Sequence, residues 1–129
     1  MTDDRRLGFV RHGVGTVRPY IFGHLDLATF VQQTFNATEL ERLPVGSGFH
    51  VEVQIGDSVI MMELGGNALR VGTASAIYVF VPDVDAAYER AIHAGATSIN
   101  RPEDKPYQER AGGVKDSFGN SWWIATYRG

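Results

Sequence analysis

The chain repeats itself once, and that repeat narrows its possible folds more than any other feature. DLATFVQQTFNAT (Asp26 to Thr38) aligns with DAAYERAIHAGAT (Asp85 to Thr97) 59 positions later, with identity at Asp26/Asp85, Ala28/Ala87, Ala37/Ala96 and Thr38/Thr97. Both read as helices. In the second, Val84, Ala87, Tyr88, Ala91 and Ile92 recur at helical spacing, Asp83 stands where an N-cap belongs, and Gly95 supplies a left-handed residue to end it. Asn36 takes the Gly95 role in the first, since Asn tolerates that conformation next best. A second correspondence, at an offset of 63, lays IGDSVIMM (Ile55 to Met62) on FGNSWWIA (Phe118 to Ala125). Gly-Asp and Gly-Asn fall at matching places, which predicts a two-residue hairpin turn in each half.

Strands fill the rest. TVRPYIFG and SAIYVFVP, before the helices, are rich in aromatic and β-branched residues. ELERLPV and TSINRP follow the helices, and FHVEVQI and AGGVKD precede the hairpin turns. The order is β-α-β-β-β, twice. This predicts an α+β fold of duplicated βαβββ modules forming a cupped mixed sheet. Residues 1–15 are expected to be an N-terminal extension, and 16–129 a single domain with modules at about 16–66 and 74–129. The growth of the offset from 59 to 63 places about four extra residues in RPEDKPYQERAG, read as a loop at the rim of the cup.

Composition removes several classes of function. With 129 residues, 43% hydrophobic and 21% charged, the chain can bury one core and lacks the signature of disorder. Net charge is −3 and the basic residues form no stripe, so nucleic acid is not an expected partner. No apolar run approaches the ~20 residues that span a bilayer, and MTDDRRLGF has no apolar core of a signal peptide, which gives a cytoplasmic expectation with no membrane partner. The absence of cysteine excludes disulfides, thiolate metal sites and a cysteine nucleophile.

The second half, YVFVPDVDAAYERAIHAGATSINRPEDKPYQERAGGVKDSFGNSWWIATY, resembles the glyoxalase/bleomycin-resistance/dioxygenase (vicinal oxygen chelate) superfamily, and within it the PhnB-like branch. VRPYIFG and HVEVQIGDSVIMM in the first half match that branch too, so the resemblance runs from Thr16 to Tyr127. It implies a cup whose concave side holds a substrate and a divalent metal, with ligands on the first and last strands of each module. Carried onto this chain, those places are Val17, Ile60, Ala76 and Trp123. None can ligate a cation, and neither can their neighbours, because a divalent metal takes His, Asp or Glu here. No metal and no cofactor are expected.

Alternation along the strands then predicts what lines the cup. Trp123, Ala125 and Tyr127 face inward on one strand, Ala76, Tyr78 and Phe80 on a second, and Ile60, Met62 and Leu64 on a third. On FHVEVQIG, His50, Glu52 and Gln54 share a face, and the resemblance makes a His and a Glu two residues apart a recurring feature of this strand. The candidate ligand-binding set is therefore His50, Glu52, Gln54, Met62, Tyr78, Phe80, Trp123 and Tyr127. The expected function is binding of an apolar or aromatic metabolite or antibiotic-like molecule. The alternative is a lyase or isomerase using His50 and Glu52, or an unrecognised divalent metal site. His12, His24 and His93 read as surface residues, and Glu63 as lying beyond the ligand register. Small members of the superfamily commonly pair, which makes a homodimer the expected assembly.

Overall fold

The computed structural model describes residues 7–129; Met1 to Arg6, part of the expected N-terminal extension, lie outside the described residues. The predicted order appears twice. The first module runs β1 (Tyr20–Gly23), α1 (Leu27–Phe35), β2 (Thr38–Val45), β3 (Gly48–Ile55) and β4 (Ser58–Leu64). A short helix, α2 (Ala68–Val71), leads to β5 (Ala76–Phe80), α3 (Val84–His93), β6 (Thr97–Lys105), β7 (Glu109–Lys115) and β8 (Ser121–Tyr127). Each module makes one four-stranded mixed sheet, ordered β1-β4-β3-β2 and β5-β8-β7-β6. In each, the opening strand pairs parallel to the closing strand and the other pairs are antiparallel. Among the described residues no helix is long and apolar enough to cross a membrane.

The helix ends follow the sequence closely. Asp83 accepts a hydrogen bond from the Ala86 N–H at 3.2 Å and so caps α3. Asn36 takes φ 57 and Gly95 φ 104 at the two C-termini. Both helices lie on one face of the sheets, and the core between them is shared by the modules. Phe30 and Phe35 of α1 pack against the fully buried Trp122 of β8, with ring centroids 5.7 and 5.4 Å away. Arg90 of α3 donates to the Thr34 carbonyl from Nε at 3.2 Å and from Nη2 at 3.1 Å, tying helix to helix.

The two hairpins differ, and the difference matters for the site. Ile55 pairs with Ser58 across the two-residue turn Gly56–Asp57, as predicted. In the second module Lys115 pairs with Ser121, leaving Asp116 to Asn120 as a longer loop. Asp116 explains it: Oδ1 accepts from the N–H groups of Phe118, Gly119 and Asn120, while Oδ2 accepts from the Asn120 amide and the Trp122 indole. The buried Asn120 amide in turn donates to the Phe22 carbonyl at 2.9 Å and accepts from the Ser75 N–H at 2.8 Å, joining the modules. The expectation that RPEDKPYQERAG is a loop also needs correction. β6 continues to Lys105 and β7 begins at Glu109, with irregularities between Ser98 and Glu103 that accommodate Pro102 within an edge strand.

Candidate functional site

The faces of the sheets away from the helices carry the chemistry. On the second sheet the predicted register holds: Ala76, Tyr78 and Phe80 of β5 stand opposite Ser121, Trp123 and Ala125 of β8, while Ile77, Val79, Trp122 and Ile124 turn toward the helices. Trp123 lies over Gly113. A Cβ at that glycine would sit 2.4 Å from Trp123 Cζ3 and 2.5 Å from Cε3, so only glycine lets the six-membered ring rest on the β7 backbone. The same side chain lines a pocket of about 320 Å³ with Tyr78, Tyr107, Asn100 and Lys105. Tyr78 donates its hydroxyl to Glu109; burial and that carboxylate push its pKa up to about 12, so it stays a neutral donor.

The predicted ligand set is not all brought together. Phe80 touches the Tyr78 ring, 5.3 Å between centroids, yet lines a different hollow of about 630 Å³ between the modules, with Val17, Phe35, Ile60 and Arg90. Tyr127 is 60% exposed at the strand end and lines neither. Met62 is misplaced by the sequence reading. It is fully buried on the helix side with Ile60 and Leu64, opposite Val51 and Val53, and Met61 takes the outer face. The cause is the longer second hairpin loop, which makes Trp123 correspond to Met61 rather than Ile60; Tyr20 pairs with Met61 as Tyr78 pairs with Trp123. The corresponding opening-strand positions become Arg18 and Ala76. Arg18, Met61, Ala76 and Trp123 still offer no donor set of His, Asp or Glu, so the residues do not fit the superfamily's metal at its usual places.

The first sheet carries a polar network instead. His50, Glu52 and Gln54 share the outer face, as read from alternation. Gln54 only donates to the Gly56 carbonyl at 3.0 Å, at the strand end. His50 Nε2 bonds Glu52 Oε2 at 2.7 Å and Nδ1 bonds Glu63 Oε1. Ionised carboxylates only accept, so this pair of contacts suits an imidazolium that donates from both ring nitrogens. Burial works against that charge, but the bonds to Glu52 and Glu63 prevail and hold the pKa above its ordinary value. Glu52, its side chain 3% exposed, would be raised by burial; His50 and His12 hold it below the usual carboxylate range. Tyr20 donates to Glu63 at 2.6 Å.

Sequence reading missed the residues that complete this network. Residues 7–18 form a strap across the first sheet. His12 Nε2 lies 2.9 Å from Glu52 Oε1, Arg11 grips Glu41 of β2, and Arg18 holds the Arg11, Val14 and Gly15 carbonyls. His12 is therefore not the surface residue expected, whereas His24 and His93 are exposed. Gly13 and Gly15, at φ 82 and 81, were the only local sign of a tight path here.

Comparison with known proteins places the fold. Residues 26–124 match the Glyoxalase/Bleomycin resistance protein/Dioxygenase superfamily. The chain belongs to this superfamily. An uncharacterized protein of Mycobacterium bovis is 34% identical over 124 residues, covering 82% of each chain. A glyoxalase/bleomycin resistance protein/dioxygenase family enzyme from Burkholderia phytofirmans PsJN superposes with a TM-score of 0.70 at 22% identity, covering 88% of this chain and 98% of that one. TnmS3, an antibiotic binding protein from Streptomyces sp. CB03234, superposes with a TM-score of 0.64 at 17% identity, covering 87% and 96%.

Proposed function

We propose that this protein binds a planar apolar or aromatic small molecule on the second sheet, stacked on Trp123, without a metal at the superfamily's usual positions. The observation that carries this reading is the Trp123 indole, seated against the Cβ-less Gly113 and lining a pocket together with Tyr78 and Tyr107. A rigid aromatic platform of this kind favours flat ligands by offset stacking, and a few polar groups at the rim fix orientation. The antibiotic-binding activity of TnmS3, on the same fold, is consistent with such a use. The lyase or isomerase alternative draws less support: both nitrogens of His50 are held by carboxylates, leaving none free to take a proton from a substrate.

The same reading takes the chain as a cytoplasmic homodimer of the PhnB-like branch, with 16–129 as its domain. β1 and β5 each pair on one side only, and Val17, Tyr78 and Phe80 are exposed near them, edge and apolar area that association covers. The test is a titration of tryptophan emission with a panel of planar aromatics. Saturable quenching in the parent, lost in Trp123→Ala, is expected; its absence across the panel would refute the reading.

A further inference from the structure

Strap and first sheet together build a cluster that neither the superfamily's metal positions nor the Trp123 pocket includes. His12 on the strap, Glu41 on β2 and Glu52 on β3 hold one ring nitrogen and two carboxylate oxygens all within 4.8 Å of one another. His12 Nε2 is 3.5 Å from Glu41 Oε1 and 2.9 Å from Glu52 Oε1. Donors on a tetrahedral zinc, each about 2.0–2.2 Å from the ion, stand about 3.3 Å apart, so these atoms need only small adjustments.

Two further features show how the cluster is held in place. Glu52 is nearly fully buried, and its Oε2 is fixed by the His50 ring while Oε1 points at His12, the outer hydrogen bond that orients a ligating carboxylate. His12 itself takes φ 70, uncommon for a residue with a side chain, between Val10–Arg11 and the left-handed Gly13, so the chain turns sharply to set the imidazole against the two strands.

We propose that His12, Glu41 and Glu52 bind one zinc-type divalent cation, which clamps the N-terminal strap onto the first sheet. A set of one imidazole and two carboxylates suits zinc or its first-row neighbours; calcium and magnesium prefer oxygen alone. Three protein ligands leave a fourth position for water. Arg11 is the competitor. Its guanidinium occupies both Glu41 oxygens, but the side chain is 62% exposed and can swing into solvent when the cation enters. Arg18, 3.5 Å from Glu52 Oε1, is anchored instead by strap carbonyls and stays.

The test is calorimetric titration of the full, tag-free chain at pH 7.5 with zinc chloride, and with magnesium and calcium chloride as controls. Expected are one zinc per chain, at least a tenfold loss of affinity in His12→Ala and in Glu41→Gln, and a several-fold gain in Arg11→Ala, where the competitor is gone. Hydrogen exchange across residues 7–18 slows on adding zinc. Each variant's circular dichroism is compared with the parent's, and because His12 and Glu41 are only partly buried, on the strap and on the edge strand β2 outside the core shared with the helices, a folded variant is expected. No saturable zinc binding, binding indifferent to His12→Ala and Glu41→Gln, or an Arg11→Ala variant that binds no tighter would each overturn the site. Binding with unchanged exchange over 7–18 overturns the clamp.

Discussion

Adjacent tryptophans with opposite surroundings allow a sharp test. Trp122 is fully buried, packed against Phe30 and Phe35, and its indole N–H is bonded to Asp116 at 2.8 Å. Trp123 is partly exposed, seated against Gly113 and lining the pocket. Trp122→Ala removes a core aromatic and one of the two hydrogen bonds to Asp116 Oδ2, so a loss of about 3–5 kcal/mol is expected. Trp123→Ala removes packing on one side only, expected to cost about 1 kcal/mol, near the value of one aromatic contact. At this chain length each kcal/mol moves the melting temperature by about 3–5 °C, so the two variants should differ by about 10 °C. Differential scanning calorimetry reads the stabilities, and emission quenching by planar aromatics reads binding through Trp123, since Trp122 is shielded. If Trp123→Ala melts as low as Trp122→Ala and the parent shows no saturable quenching, Trp123 is core, and the platform argument is wrong.

Three further outcomes are expected. Gly113→Ala drives a methyl into the Trp123 ring, tilting the platform; quenching affinity should fall at least tenfold while the fold survives by circular dichroism, and unchanged affinity would show that the flat seat is irrelevant. His50 has a folded pKa above its unfolded value near 6.5, so its contribution to stability is whole below that value and is lost as pH rises through the elevated one. Melting temperature should therefore decline above neutral pH in the parent and less steeply in Glu63→Gln, and parallel profiles would contradict the caged imidazolium. Sedimentation velocity should report a dimer, whereas a concentration-independent species of 14.2 kDa would rule it out.

Much of this molecule could be read before any coordinates. The duplicated order, the Asp83 cap and the left-handed ends at Asn36 and Gly95 are local, and local signals sit in a few adjacent residues. The outer face of β8 was read correctly for the same reason: alternation within one strand has a fixed period. Transferring that face from one module to the other failed, because phase between modules depends on the number of residues in the hairpin, and one residue reverses every side chain. Met62 went to the wrong side on that account.

The cause of the slip was itself written in the chain. A short acidic residue followed by Ser-Phe-Gly-Asn is able to fold its carboxylate back onto successive N–H groups, as Asp116 does with three of them, and such a loop competes with a two-residue turn. The strap is different in kind. His12 and Glu52 are 40 positions apart, and nothing in either neighbourhood names the other; their meeting is decided by a buried carboxylate on β3 that must find donors once the sheet forms. A buried Glu at an alternating outer position thus implies a cover. The second sheet, whose outer positions on β5 and β8 carry no acid, has no such demand and leaves a pocket beside Trp123.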